Sequence, residues 1–235
     1  MIVGKAPRPG ATKTRLVPPL TPEHAADLYR AFLLDTTHLA CALDWDRVSV
    51  VHPRGHGQEL GSLLDRRVHL VEQGGHGLAD ALVSALAAHF SEGFERVVLL
   101  GSDSPTLPLD AIHDACSALD SSDVSIGRTA DGGYYLLGMR ALHAALFDQI
   151  EWSTARVYRQ TLQRAKRVGL RVHTVAGWYD VDEPADLDRL RLDLVERPMG
   201  VAENTRAALS RFFSGAVGVV EQEPRSGVAR VDPVA

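Results

Sequence analysis

The strongest constraint on this chain is an alternation of short, continuous apolar runs with longer segments of helical apolar spacing. Runs at residues 1–3, 48–51, 68–71, 97–100, 124–126, 134–137 and 172–175 are rich in Val, Leu, Ile and Tyr. Several, such as Val97-Val98-Leu99-Leu100, carry no alternating polar residue, which is the pattern of strands covered on both faces of a mostly parallel sheet. Between the runs, residues 22–43 read as a helix with Thr21 as N-cap and Pro22 at the first helical position. Residues 77–90 set Leu78, Leu82, Leu86 and Phe90 four apart on one stripe. Helices are also predicted over 108–119, 153–168 (with Ser153 as N-cap) and 184–195. This rhythm implies a doubly wound α/β sheet with one core across residues 1–198. A helix over 204–213, then a Gly-, Pro- and charge-rich tail over 214–235 expected to pack loosely, complete a C-terminal segment, 199–235.

Charge narrows the function. The 235 residues carry a formal net charge of −5, so a general nucleic-acid or membrane-surface binder, which needs a broad basic face, is excluded. No run approaches the roughly 18 apolar residues of a membrane span, and the N-terminus lacks a signal-peptide stretch, so a cytoplasmic protein is expected. Cys41 and Cys116 have neither zinc-site nor disulfide-framework spacing and read as reduced thiols. Against the acidic whole, the first 22 residues hold Lys5, Arg8, Lys13 and Arg15 and no acid before Glu23.

That basic block, Lys5-Ala6-Pro7-Arg8-Pro9-Gly10-Ala11-Thr12-Lys13-Thr14-Arg15, directly follows the first strand. In open α/β sheets ligands bind beyond the carboxyl ends of strands, and a turn offering Lys, Arg and backbone N–H groups suits a polyphosphate. It is not a Walker A loop: Lys13 follows Thr12 rather than Gly, and Val17-Pro18-Pro19 blocks the helix that motif needs. A solvated basic turn is the bland alternative. Asp103, in Gly101-Ser102-Asp103-Ser104-Pro105 after the fourth run, could hold Mg²⁺ against phosphate oxygens or merely organise a turn or cap the next helix. Asp131-Gly132-Gly133-Tyr134 is either a plain hairpin turn or a place where a ligand meets backbone. Trp152, before Ser153 and Thr154, could be a stacking platform or core. Asp180 and Asp182 alternate along an extended segment and so point the same way; Asp182 could cap the helix at Pro184 or bind a second side of the metal. His52 and His56 lie in a Pro/Gly-rich loop with no third ligand nearby, so a metal site there is not expected. No G-x-S-x-G element or Cys/His pairing points to covalent hydrolysis.

Taken in order, K-A-P-R-P-G-x-x-K-T-R-L, L-L-G-S-D-S-P-x-L-P, D-G-G-Y-Y-L-L-G, W-S-T and Y-D-V-D-E-P-x-D-L resemble a bacterial family of nucleotide-diphospho-sugar-transferase-like proteins. That family is often named after arsenosugar-biosynthesis glycosyltransferases, and it is similar in fold to molybdenum-cofactor nucleotidyltransferases and 2-phospho-lactate guanylyltransferases. The resemblance covers about residues 1–195. It implies a Rossmann-like GT-A fold, a mostly parallel sheet with helices on both faces, and a divalent metal, Mg²⁺ or Mn²⁺, on Asp103 with Asp180 or Asp182. It implies a nucleotide against Lys5, Ala6, Pro7, Arg8, Gly10, Lys13, Arg15, Gln73 and Ser102. The acceptor is implied beside Asp131, Gly132, Gly133, Tyr134, Trp152, Ser153 and Thr154. Two features depart from the family pattern: only Met1–Gly4 precede Lys5, and Ala81 stands where the family tends to have Arg. The leading expectation is nucleotidyl transfer from a nucleoside triphosphate to a small phosphate-, phosphonate- or sugar-phosphate-bearing acceptor, with Lys13, Arg15 and Asp103 catalytic. The alternatives are glycosyl transfer from a nucleotide-diphospho-sugar and nucleotide binding without turnover.

Overall fold

The computed structural model describes residues 1–213; the expected tail at 214–235 lies outside the described residues. Seven strands form one sheet: β1 (Ile2–Val3), β2 (Val48–His52), β3 (Val68–Glu72), β4 (Val97–Gly101), β5 (Val124–Thr129), β6 (Tyr134–Met139) and β7 (Val172–Trp178). Their order is β3-β2-β1-β4-β6-β5-β7, and β6 alone runs antiparallel to its neighbours. Short β1 is held centrally, Ile2 in register with Val50 on one side and Leu100 on the other. Both edges of this two-residue strand are paired.

The uninterrupted apolar runs are explained by two covered faces. Val98 and Leu100 pack with Leu33 and Ala40 of α1 (Pro22–Cys41), Leu60 of α2 (Gly57–Leu63), and Ile112 and Ala115 of α4 (Leu109–Ala118). Their neighbours Val97 and Leu99 face the other way, onto Leu82 and Leu86 of α3 (Gly77–Ser91) and Ala165 of α5 (Val157–Arg167). The period of two puts alternate residues on opposite faces, and each face has its own layer of helices. The far side of α1 buries Leu28 and Phe32 against Leu187 and Leu190 of α6 (Pro184–Glu196) and Ala208 and Leu209 of α7 (Glu203–Phe213). Asp35 ties α7 down: its carboxylate accepts from the backbone N–H groups of Asn204 and Thr205, at 3.0 and 2.8 Å. That satisfies donors the helix start leaves free.

Thr21 caps α1 as expected, accepting from His24 N at 3.2 Å. Two local expectations change. Residues 57–63, where no element is predicted, are helical. Ser153 does not cap α5; it sits at φ 61°, and α5 begins only at Val157. Glu151 organises the intervening loop, its carboxylate accepting from Arg156 Nη1 at 2.9 Å and Gln160 Nε2 at 2.7 Å. Cys41 and Cys116 are free and half-buried. Among the described residues no helix is long and apolar enough to cross a membrane.

Candidate active site

Since β1, β2, β3, β4, β5 and β7 run in one direction, the loops that leave them gather at one sheet end. Antiparallel β6 returns from that same end, so the Asp131-Gly132-Gly133 turn joins them. Strand order reverses at β1, with β2 on one side and β4 on the other, and this is where open α/β sheets leave a crevice. Two adjoining cavities fill it.

The first, about 340 Å³, is polar. It is walled by Gly4, Lys5, Lys13, Thr14 and Arg15 of the basic loop, Tyr29 of α1, Pro53 and Gln73 after β2 and β3, and Ser102, Asp103 and Asp182. Lys13, held at φ 48° and ψ 41°, sends a side chain only 4% exposed between two carboxylates, 2.7 Å from Asp182 Oδ1 and 2.9 Å from Asp103 Oδ1. Burial alone would favour a neutral amine; attraction to Asp103 and Asp182 more than reverses this, so the ammonium is held more firmly than in water. The ammonium thus bridges the two carboxylates, one oxygen from each. The loops carrying the two acids are themselves joined, as Val181 N donates to the Asp103 carbonyl at 2.9 Å. Beneath them Tyr29 Oη accepts from Lys5 N and shares a hydrogen bond with Ser102 Oγ, both at 3.0 Å, and burial followed by nearby Asp103 pushes its hydroxyl up to about 12.

The capping alternatives for the acids fall away. Glu183, not Asp182, is the N-cap of α6, in a reciprocal capping box with Asp186, and Pro108 rather than Asp103 or Ser104 occupies the N-cap position of α4. Asp182 is thereby free to serve Lys13.

The second cavity, about 430 Å³, is bounded by Leu78 and Leu82 of α3, Leu99 and Leu100 of β4, Tyr134, Tyr135, and the 152–155 loop. Trp152 is both wall and core: it stacks on Phe147 with centroids 6.4 Å apart at 17° and meets Tyr134 edge-on. Tyr134 Oη is buried without a partner, and burial drives its hydroxyl well above the ordinary range. Gly132 lets the hairpin tip close here: at φ 95°, an added Cβ would lie 2.3 Å from the Ala155 carbonyl oxygen. The side chains of Ser153 and Thr154 flank the same opening. Val3, Arg15 and Asp182 line both cavities. Arg15 is exposed, and among the described residues its guanidinium has no ion-pair partner.

The carboxylates assemble differently from expectation. Asp131, Asp180 and Asp182 each offer an oxygen within 4.8 Å of the others, while Asp103 stands outside the trio on Lys13. Asp131, expected among acceptor contacts, is oriented toward this trio by hydrogen bonds to Oδ1 from Thr129 Oγ1 and from Gly133 N. Asp180 pays for the crowding: burial first, then Asp131 and Asp182, raise its carboxyl to about 7.

Of the residues expected at a nucleotide, Lys5, Lys13, Arg15, Gln73 and Ser102 line the polar cavity; Ala6, Pro7, Arg8 and Gly10 do not. Arg8 is turned away because Glu59, on the unpredicted helix α2, takes its guanidinium in a two-pronged pair, with the Gly55 carbonyl accepting at 3.0 Å. Ala6 is buried, its N–H donating to His56 Nδ1 at 2.9 Å. Lys5 reaches back to the Ala11 carbonyl at 2.9 Å and closes the loop. Tyr29, Leu78 and Leu82 were missed as site residues, because their spacing reads simply as the apolar face of a helix.

A doubly wound sheet with these loops at one end defines the nucleotide-diphospho-sugar transferase fold. Residues 35–154 match the bacterial family described as "Uncharacterized protein conserved in bacteria (DUF2064)", and the chain belongs to it. It is similar to a crystal structure from Desulfovibrio desulfuricans G20, provisionally described as a nucleotide-diphospho-sugar transferase, at 31% identity and TM-score 0.83 over 91% of this chain and 94% of that one. It shares its fold with the inositol-1-phosphate CTP transferase of T. maritima (19% identity, TM-score 0.51, 85% of this chain and 96% of that one). The same holds for 4-diphosphocytidyl-2C-methyl-D-erythritol synthase from Anaerococcus prevotii DSM 20548 (13%, 0.53, 72% and 86%). No curated protein matches it by sequence.

Proposed function

We propose that the protein is a cytoplasmic transferase that moves a nucleotidyl group from a nucleoside triphosphate to a small acceptor and releases pyrophosphate. The observation that carries this reading is the sharing of Arg15 and Asp182 between a polar and an apolar cavity, which makes their junction the meeting point of two substrates. The phosphate chain lies along Lys5, Lys13 and Arg15, where the loop backbone and two cations other than the locked Lys13 face it. An acceptor oxygen from the apolar side forms a bond to the α-phosphorus as the bond to the β-phosphate bridging oxygen breaks. Pyrophosphate leaves with both electrons of that bond, and a hydroxyl acceptor's proton passes to water. No enzyme nucleophile is needed; positioning and charge stabilisation suffice. Arg15, unpaired and at the junction, neutralises charge growing on the leaving oxygens.

Three converging carboxylates, an all-oxygen donor set, fit a divalent cation, which oxygen ligands of this kind prefer. Asp131, Asp180 and Asp182 would hold it, in place of the set centred on Asp103. Bound, Mg²⁺ or Mn²⁺ would supply neutralising charge for the transferred phosphate. Lys13 bridges Asp103 and Asp182 beside this set.

The test is pyrophosphate release from each of the four nucleoside triphosphates, with Mg²⁺ and a pool of alcohols and monophosphates. In parallel, UDP- and GDP-sugars are assayed for free diphosphate, an arm prompted by the description of the D. desulfuricans protein. Pyrophosphate release that depends on acceptor supports the proposal; diphosphate release alone replaces it with glycosyl transfer; binding without either product makes the protein a nucleotide-binding regulator.

A further inference from the structure

The apolar cavity restricts what the acceptor can be. Its ionisable walls are Arg15, Asp131 and Asp182, with two tyrosines besides. Arg15 and Asp182 also line the polar cavity, and Asp131 lies within 4.8 Å of Asp182, so all three charges sit at the shared end. The remaining large walls are Leu78, Leu82, Leu99, Leu100, Trp152 and Val157 with the two tyrosine rings, and none of these can balance a charge. A phosphate, carboxylate or ammonium deep in such a space would lose hydration with no counter-ion, which proteins avoid. The other polar side chains at this cavity are uncharged: Ser153 and Thr154, both exposed at its opening, and Tyr134, whose hydroxyl is buried. Trp152, stacked on Phe147, and Leu82, itself only 2% exposed, make the wall rigid rather than adaptable.

We infer that the acceptor is a small molecule with its reacting oxygen at one end and an uncharged, largely hydrocarbon or aromatic body. This departs from the sugar-phosphate class expected from sequence, and it rests on reading the polar cavity as the phosphate side. Leu78 gives the handle for a test: it is 39% exposed at the start of α3, so a charge there is tolerated by the fold while entering the acceptor space.

The experiment is titration calorimetry of the full chain, with no nucleotide and no turnover required. Two probes are compared, a ten-carbon branched alcohol (geraniol) and glucose 1-phosphate, on the wild type, Leu78→Asp and Trp152→Phe. The expected result is saturable geraniol binding, weakened at least about tenfold by Leu78→Asp and less by Trp152→Phe, and no measurable glucose 1-phosphate binding. Tighter binding of glucose 1-phosphate than of geraniol, no binding of geraniol, or geraniol binding indifferent to Leu78→Asp would overturn the inference. If geraniol binds as expected but no triphosphate is turned over with any acceptor, the nucleotidyl-transfer reading fails and the apolar-body inference stands.

Discussion

Lys13 is the residue on which the site's architecture can be tested most sharply, and Lys13→Met is the perturbation. Methionine keeps the length of the chain and leaves unchanged the left-handed backbone conformation that Lys13 adopts as a non-glycine residue. It removes the ammonium from between Asp103 and Asp182. Breaking a fully buried ion pair costs about 3–5 kcal/mol. Here the lysine side chain is 4% exposed but the carboxylates are 36% and 35% exposed, so water recovers part of their solvation. The expected loss is therefore about 2–3 kcal/mol at pH 8, which for a chain of this size lowers Tm by roughly 5–10 °C. Adding Asp103→Asn recovers about 1 kcal/mol, since one orphaned charge is gone, so the cycle is non-additive. Urea unfolding of the wild type, both single variants and the double variant measures all of this. A Lys13→Met variant within about 0.5 kcal/mol of wild type, or a strictly additive cycle, would refute the claim that Lys13 clamps the two loops.

Arg15→Ala should leave stability within about 0.5 kcal/mol, since the guanidinium has no ion-pair partner among the described residues, yet lower turnover by about 10²–10³ in the pyrophosphate assay. Asp180 supplies the pH prediction: with a carboxyl near 7 in the fold against 3.8 when unperturbed, the native state keeps a proton that the unfolded chain releases. Metal-free stability therefore falls as pH rises from about 4 to 7, by on the order of 4 kcal/mol, and levels off above. Thermal melts should show Asp180→Asn flattening that fall and divalent cation reversing it at pH 8; a flat wild-type profile would count against the crowded carboxylates. Gly132→Ala should cost at least about 2 kcal/mol, from a disfavoured φ and a clash with the Ala155 carbonyl, and calorimetric unfolding reads it directly.

The same residues show how far a linear reading reaches. Strands at Val97–Gly101 and Tyr134–Met139 were legible because side chains buried on both faces leave no polar alternation. Helix α1 was legible from Thr21-Pro22, where cap and first-turn chemistry are local. Helix α2 was not: Gly57 and Gly61 depress its propensity, and its stability comes from Leu60 buried against the sheet, a tertiary contact. That omission propagated to the site, since Glu59 on α2 is what withdraws Arg8 from the cavity. Ser153 failed as a cap for a similar reason: Glu151, not a serine hydroxyl, organises the turn before α5.

By itself, then, the amino-acid order determined the α/β alternation, the layers on both faces, and which loops would carry cations and acids. It did so because periodicity, capping and turn chemistry act over a few residues. Only the tertiary structure decided partners. Lys13 meets Asp182 across 169 positions, Arg8 meets Glu59 across 51, and Asp131 comes within 4.8 Å of both Asp180 and Asp182. Electrostatic pairing depends on distances of a few ångströms and on burial, and neither is encoded in spacing along the chain; the sheet, by bringing its loops to one end, sets both.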